Sequence, residues 1–413
     1  MSAGQSASAP PIHGQCDPAF AAVEAAFREN FAERDEIGAA VAIRIDGREV
    51  VDLWGGHRDA ARRRPWARDT LVNTYSVAKG VTAMLVLSLI ERGELDLDRP
   101  IIDVWPELGV EGKAETTLRM LLAHRGGLPG VRRTLAGDAI HSWATMTGAL
   151  AAQAPFWPPG TEHGYHVNSF GFLVGEPVVR RLGLRFADAL RRHLTGPRGA
   201  DFHIGLPRSE HGRVAEVVLP DLPYAAEGGD AMMRHLGTGD PGTDELLRAT
   251  YANPPGLSGF GTVNTAEWRL ASIPSTNGHG TARAVALLYD AFLGRRDEAD
   301  AIVGPGLLRE AIRAQSDGLD RVLRKPSRFG LGFQLSQPSR RVGSASGFGH
   351  YGYGGTLGFA DPETGVAFGY LMNRPGTRWS TPRTDALLDA LDEALGRPAW
   401  QRAEEAGEDR PER

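Results

Sequence analysis

Residues 76–91 read SVAKGVTAMLVLSLIE, an apolar run that opens with a serine and a lysine three positions apart. The run is long enough for about four helical turns, and its apolar residues fall on nearly every face of a helix. A helix that is apolar all round belongs in the interior of a large domain. The sequence therefore predicts a buried helix over residues 76–91, with Ser76 at its N-terminus.

Ser76 and Lys79 lie on one face of that helix, because residues three apart are neighbours on a helix surface. A lysine on a buried helix loses hydration, which lowers its pKa and lets the amine act as a base towards the serine hydroxyl. The N-terminal position also directs the backbone N–H of Ser76 and the helix dipole towards any oxyanion. Taken alone, the pattern also describes a capping serine and a lysine that extends to solvent. Only three of the 46 basic residues are lysines, which favours the catalytic interpretation.

Tyr165 is a second candidate, within GTEHGYHVNS at residues 160–169. It follows a glycine-containing loop and precedes an apolar helical stretch, so its hydroxyl could face a cleft. Near a cationic amine the pKa of a phenol falls, and the phenol becomes a general base. Without the Ser76–Lys79 pair, an ordinary half-buried tyrosine is the simpler interpretation.

A third candidate segment, residues 348–356, reads FGHYGYGGT. Glycines within a strand allow a ligand to approach the backbone closely. The pattern G-x-G-x-x-G also occurs here, but the flanking segments predict antiparallel strands without a βαβ unit, which argues against dinucleotide binding. His350, taken by itself, is also compatible with a hydrogen-bonded histidine inside a sheet.

Composition excludes several classes of protein. The 413 residues are 41% hydrophobic and 23% charged, with a net charge of −5, which describes a soluble globular chain without a basic surface for nucleic acid. The single cysteine, Cys16, excludes an internal disulfide and a cysteine-based metal site. Residues 1–15 lack the features of a secretory signal, and no apolar run reaches the length of a membrane span. We expect a cytoplasmic protein with no nucleic-acid or membrane partner.

The order of the predicted elements indicates an α+β fold. A hairpin is predicted over residues 39–54, a mostly helical middle follows, and Gly- and aromatic-rich strands occupy residues 329–373 before a helix at 383–395. This order predicts one antiparallel sheet built from both chain ends and flanked by helices, with an inserted helical lobe. We expect a flexible leader at 1–16 and a domain at 17–396. Its α/β lobe would comprise about 17–70 and 270–396 and its helical lobe about 71–269, before a disordered tail at 397–413.

Together, Ser76-x-x-Lys79, Tyr165 and the glycine-rich strand resemble the serine β-lactamase and penicillin-binding-protein superfamily. Within it, the chain is most similar to the family VIII carboxylesterases, relatives of class C β-lactamases. The resemblance covers about residues 18–395 and implies a β-lactamase-like fold. Further segments that carry it are LLAHRGGLP at 121–129, STNGHGTAR at 275–283 and residues 349–362.

The resemblance implies a role for each matching residue. Ser76 would be the nucleophile that forms an acyl-enzyme, and Lys79 and Tyr165 would share the general-base and general-acid work. The backbone N–H groups of Ser76 and Tyr353 would form the oxyanion hole. His350 and Gly352 match the family's third motif, Lys-Thr-Gly in β-lactamases, and would contact the substrate.

The chain departs from class C β-lactamases at two places. His350 replaces the lysine that steers a substrate carboxylate. Val167 stands where those enzymes have the asparagine of Tyr-x-Asn, and Asn168 follows one position late. Both departures weaken recognition of a β-lactam and favour ester hydrolysis.

We therefore expect a serine carboxylesterase that acts on short-chain acyl esters of small molecules, with no cofactor and no metal. Three alternatives remain open from the sequence. They are a β-lactamase of weak activity, an acyltransferase or peptide cyclase of a natural-product pathway, and a sensor that is acylated without turnover.

Overall fold

The computed structural model describes residues 10–220, 229–295, 300–398 and 400. Its strands are β1 (Ile12–Cys16), β2 (Gly38–Ile45), β3 (Arg48–Gly56), β4 (Val72–Asn73), β5 (Phe202–His203), β6 (His279–Gly280), β7 (Ser316–Leu319), β8 (Pro326–Phe329), β9 (Gln334–Leu335), β10 (Phe348–Tyr351), β11 (Leu357–Asp361) and β12 (Val366–Met372). Nine of them form a single antiparallel sheet in the order β1-β3-β2-β12-β11-β10-β9-β8-β7, and the others form a small sheet in the order β4-β6-β5.

Most of the helices come from the part of the sequence between β3 and β7. The helices are α1 (Ala21–Glu33), α2 (Val77–Glu91), α3 (Leu118–Leu122), α4 (Trp143–Ala152), α5 (Phe170–Leu182), α6 (Phe186–Leu190), α7 (Gly229–Leu236), α8 (Pro241–Leu247), α9 (Ala266–Leu270), α10 (Ala282–Leu293), α11 (Pro305–Ile312) and α12 (Pro382–Ala394). Within the described ranges, no helix combines the length and the apolar character needed to cross a bilayer.

The large sheet joins the two ends of the chain at its centre. β2, near the start, pairs with β12, near the end, over seven residue pairs from Val366↔Ile45 to Met372↔Ala39. The strands of this sheet come from residues 12–56 and 316–372, with the helical middle between them. This arrangement confirms the predicted α+β fold class.

Side chains of β12 alternate between the two faces of the sheet, as the two-residue period of a strand requires. Phe368 and Tyr370 pack on one face in a cluster that includes Phe27 of α1 and Leu391 of α12. Ala367 points to the other face, where α10 lies against β2 and β12. The sheet is therefore buried on both faces.

Helix α2 passes through the interior between the sheet and the helical middle. Every residue from 77 to 89 is buried, and the helix contacts β10, β11 and α5. Ser76 occupies the N-cap position, one residue before the helix begins. The predicted buried helix and the terminal position of Ser76 are thus confirmed.

The predicted leader and tail are wrong where the structure describes them. Residues 12–16 form β1 and pair with β3 from Ile12↔Gly55 to Cys16↔Val51, because Ile12 and Cys16 pack against the apolar cluster beneath the sheet. Arg397 is held by an ion pair with the buried carboxylate of Asp361, 3.1 Å away. The remaining parts of these predictions, residues 1–9, 399 and 401–413, lie outside the described residues. The predicted lobe boundaries stay a prediction.

Gly80 of α2 permits a close contact with Tyr289 of α10, since a Cβ at position 80 would overlap the Tyr289 hydroxyl. That hydroxyl is buried and has no hydrogen-bond partner among the described residues. Removing a buried, unpaired hydroxyl is neutral or stabilising, so we expect Tyr289→Phe to raise the free energy of unfolding by up to about 1 kcal/mol.

We expect Gly80→Ala alone to destabilise the protein by about 1–3 kcal/mol, although alanine is the better helix former. In the Tyr289→Phe background the same change should cost clearly less. Denaturant unfolding of the four proteins gives the coupling energy between the two positions. Equal costs in both backgrounds would show that the hydroxyl does not limit position 80.

Candidate active site

A strained turn brings Ser76 to the surface of a cavity. Tyr75 has a φ of 48°, in the left-handed region that bulky residues rarely occupy. This conformation turns the chain sharply from β4 into α2. The ring of Tyr75 packs edge-on against Tyr353, with 5.4 Å between the ring centroids, and both residues line the same cavity as Ser76.

Lys79 lies one helical turn after Ser76 with its side chain fully buried. Its Nζ is 3.0 Å from Ser76 Oγ, 2.6 Å from the carbonyl oxygen of Val167 and 3.0 Å from that of Ser275. A neutral amine has two N–H groups and one lone pair, which matches two carbonyl acceptors and one hydroxyl donor. Burial lowers the pKa of Lys79 well below its ordinary value. The geometry therefore fits a neutral amine that accepts the proton of Ser76.

Tyr165 stands beside this pair in an aromatic setting. Its ring is stacked on Phe329 at an interplanar angle of 7° and meets Trp379 edge-on, each with 5.6 Å between centroids. The Nζ of Lys79 lies 4.9 Å from the centre of the ring. Burial raises the pKa of the Tyr165 phenol, and a hydrogen bond to Ser76 opposes this shift. Tyr165 is thus a protonated phenol beside the nucleophile.

His350 lies behind Tyr165 and not at the cavity surface. It is fully buried, and its Nε2 is 3.4 Å from the Tyr165 hydroxyl. Burial lowers the pKa of His350 well below its ordinary value, so its ring is neutral. Its Nδ1–H donates to the carbonyl oxygen of Tyr351 at 2.6 Å, so the Nε2 that faces the phenol carries no proton. The predicted substrate contact of His350 does not agree with this position, because the ring reaches Tyr165 instead.

The end of β10 approaches the N-terminus of α2 through Gly352. A Cβ at this position would lie only 2.5 Å from the carbonyl oxygen of Thr74, so only glycine permits the approach. Gly352, Tyr353 and Ser76 all line the cavity. The N–H of Ser76 precedes the first turn of α2, where backbone donors lack helical acceptors. The two predicted oxyanion donors, Ser76 and Tyr353, therefore lie on one cavity.

The cavity has a volume of about 220 Å³ and a wall rich in aromatic residues. Its lining residues are Tyr75, Ser76, Tyr165, Val167, Asn168, Leu236, Tyr251, Ser258, Phe260, Thr276, Leu323, Tyr351, Gly352, Tyr353, Thr377 and Trp379. None of these described residues carries a charge, and seven of the sixteen are aromatic. Such a wall suits a small, uncharged and largely apolar group.

Residues 167 and 168, where the sequence departs from class C, have structural roles. Val167 accepts from Lys79 through its backbone carbonyl oxygen, so this contact does not depend on the side chain at position 167. Asn168 lines the cavity, but its amide donates to the carbonyl of Thr250 and to the Ser258 hydroxyl and accepts from the Thr276 hydroxyl. With its hydrogen bonds taken up by the protein, Asn168 holds three segments of the wall together.

The sequence did not reveal Leu323, Trp379 and Asp320. Leu323 and Trp379 belong to the cavity wall, and both of Asp320's carboxylate oxygens accept from the backbone N–H of Tyr165 at 3.0 Å. An aspartate at the start of a tight turn is a common local signal, but nothing in the sequence links residue 320 with residue 165. Across the described ranges, no group of three or more His, Cys, Asp or Glu residues could hold a metal ion.

The chain matches the protein-family model described as Beta-lactamase over residues 23–392. Among curated proteins, the chain is 35% identical over 368 residues to the esterase/beta-lactamase LipL of Mycobacterium tuberculosis, with 88% of this chain and 83% of LipL covered.

Among solved structures, a family VIII carboxylesterase superposes with a TM-score of 0.83 at 34% identity, covering 93% of this chain and all of the other. A penicillin-binding-protein homologue from Caulobacter crescentus gives the same TM-score at 35% identity, with the same coverage of both chains.

The buried amine of Lys79 predicts a pH-dependent cost in stability. Because its pKa in the folded protein lies below the ordinary 10.5, the unfolded chain binds a proton that the folded chain does not. This cost is present at neutral pH and disappears as the pH rises past 10.5. We expect Lys79→Met to raise the thermal midpoint relative to the parent protein at pH 7, and by less at pH 10.

The measurement is differential scanning calorimetry at both pH values. Lys325→Met, which removes an exposed lysine, controls for the loss of one positive charge. A difference between parent and Lys79→Met that did not change with pH would contradict a neutral buried amine.

Proposed function

The chain belongs to the Beta-lactamase family and is a serine hydrolase related to esterases and β-lactamases, and from this we propose that it is a carboxylesterase. Its substrates would be short-chain acyl esters of small molecules, cleaved through an acyl-enzyme on Ser76. The observation that supports this most directly is the 3.0 Å contact between Ser76 Oγ and the buried amine of Lys79. A hydroxyl paired with a neutral amine is an activated nucleophile.

In the first half of the proposed reaction, Ser76 Oγ attacks the ester carbonyl carbon and passes its proton to Lys79. The resulting oxyanion is stabilised by the N–H groups of Ser76 and Tyr353. The tetrahedral intermediate then breaks its bond to the alkoxy group, and the departing oxygen takes the proton of Tyr165. The positive charge now on Lys79, next to the Tyr165 ring, stabilises the phenolate.

The second half reverses these proton movements with water as the attacking group. Water loses its proton to the Tyr165 phenolate while its oxygen bonds to the acyl carbon. Lys79 returns its proton to Ser76 Oγ as the carboxylic acid leaves. The protein ends in its initial protonation state, so neither a cofactor nor a metal is needed.

The uncharged cavity wall supports esters over β-lactams. A β-lactam carries a carboxylate, which needs a cation or several donors once it is removed from water. The described lining residues offer no cation, and His350 is buried behind Tyr165 as a neutral ring. Transfer of a short apolar acyl chain from water into this cavity of about 220 Å³ is, by contrast, favourable.

We expect the purified protein to hydrolyse p-nitrophenyl butyrate and to turn over a chromogenic cephalosporin only slowly. Ser76→Ala should reduce ester hydrolysis by at least about a thousand-fold, because no other group replaces the nucleophile. Equal ester hydrolysis by the parent protein and Ser76→Ala would contradict the proposed mechanism. Rapid cephalosporin turnover would favour a β-lactamase, and a stable adduct on Ser76 without turnover would favour a sensor.

Tyr165→Phe tests the proposed proton donor through the leaving group. Ethoxide needs a proton as it departs, whereas p-nitrophenolate does not. We expect kcat/KM for ethyl butyrate to fall by about 10²–10⁴-fold and kcat/KM for p-nitrophenyl butyrate to fall far less. Tyr251→Phe removes another phenol that lines the same cavity and is the matched control. If kcat/KM fell equally for both esters, Tyr165 would act in the attack of Ser76 on the carbonyl carbon and not in the departure of the alkoxy group.

A further inference from the structure

Asp320 is a fully buried carboxylate on the hairpin formed by β7 and β8. It lies outside the reaction path, yet it accepts four different donors. The N–H of Tyr165 reaches both of its oxygens at 3.0 Å, Val322 and Leu323 donate their N–H groups to Oδ1 at 2.9 and 2.8 Å, and the Ser327 hydroxyl donates to Oδ2 at 2.8 Å. A carboxylate suits this position because it has two oxygens that only accept.

Further bonds tie the same hairpin to the segment just before Tyr165. Nε2 of His163 is 3.0 Å from the Ser327 hydroxyl, and the N–H of Arg321 donates to the carbonyl oxygen of His163 at 3.1 Å. The hairpin also supplies Phe329, on which the Tyr165 ring is stacked. One hairpin therefore holds Tyr165 at its backbone, through Asp320, and at its ring, through Phe329.

The turn that Asp320 organises also forms part of the cavity wall. Leu323, whose N–H donates to Oδ1, is a lining residue of the cavity. The position of this wall and the position of the Tyr165 backbone thus depend on the same carboxylate.

We propose that Asp320 is a positioning residue, which fixes the proton donor Tyr165 and the Leu323 wall of the acyl pocket as one unit. This inference rests on the proposed esterase reaction. Without the carboxylate, the backbone N–H of Tyr165 loses its acceptor. The N–H groups of Val322 and Leu323, which shape the turn, lose theirs as well. A displacement of about 1 Å in a reacting group costs on the order of 10²-fold in rate, so Asp320 controls proton donation without touching the substrate.

The test asks whether Asp320 acts through Tyr165. We expect Asp320→Ala to reproduce the leaving-group signature of Tyr165→Phe, with kcat/KM for ethyl butyrate falling about 10²-fold and that for p-nitrophenyl butyrate far less. In the Tyr165→Phe background, Asp320→Ala should add no further leaving-group effect, because groups that act as a unit are not additive. Rates are expressed per folded molecule, measured by circular dichroism and thermal unfolding.

Two variants complete the design. Acyl-chain selectivity is measured with p-nitrophenyl esters from acetate to octanoate. Leu323→Ala should broaden this selectivity without the leaving-group signature, whereas Asp320→Ala should change the selectivity and show the signature. Asp320→Asn keeps one carbonyl acceptor for the turn and carries the same test, with a smaller loss, if Asp320→Ala does not fold.

The outcomes separate the two proposals. If Tyr165→Phe has the signature and both Asp320 variants lack it, the positioning role is overturned and the proposed function stands. If Asp320→Ala lowers both esters equally, Asp320 is structural only. Absence of ester hydrolysis in the parent protein would overturn the proposed function itself.

Discussion

The buried amine of Lys79 is the constraint around which the site is arranged. Its three partners come from the start of α2, from the segment after Tyr165 and from the segment before β6, which are far apart in the sequence. An amine without solvent must find its hydrogen bonds in the protein, so these three segments are held within about 3 Å of a single atom. The same isolation from water lowers its pKa and makes it a base. Packing and reactivity thus have one physical cause.

Much of the fold could be predicted because it depends on local patterns. The apolar run of α2 reflects burial on all sides, and the Gly- and aromatic-rich composition of β11 and β12 reflects burial on both faces of the sheet. Each pattern is visible within a short window. The strand at residues 12–16 could not be predicted in this way. Its polar residues suit the exposed edge of a sheet, and only Ile12 and Cys16 contact the core. An edge strand with so little apolar character resembles a loop in sequence.

The candidate site was predictable to the same degree. Ser76 and Lys79 are one turn apart, so helical geometry alone brings them together, and the structure adds Tyr165 at their side. The location of His350 behind the phenol could not be inferred, since both a cavity-facing and a buried histidine fit a glycine-rich strand. The role of Asp320 could not be inferred for a different reason. Its carboxylate accepts from the backbone N–H of Tyr165, and a contact with the backbone places no requirement on the side chain that a sequence pattern could show.

The central pairing of β2 with β12 has a consequence for how the protein is made. Loop-closure entropy must be overcome before strands so distant in sequence can pair, so the sheet is a late event in folding. On the ribosome, Ser76 and Lys79 emerge long before Gly352 and Tyr353, because most of the domain lies between them in the sequence. Until then the chain exposes the apolar surface of α2 and has no complete oxyanion site. Catalytic competence therefore arises only once β10 and the residues after it have joined the sheet, and a chain that lacks them is inactive with the apolar faces of α2 uncovered.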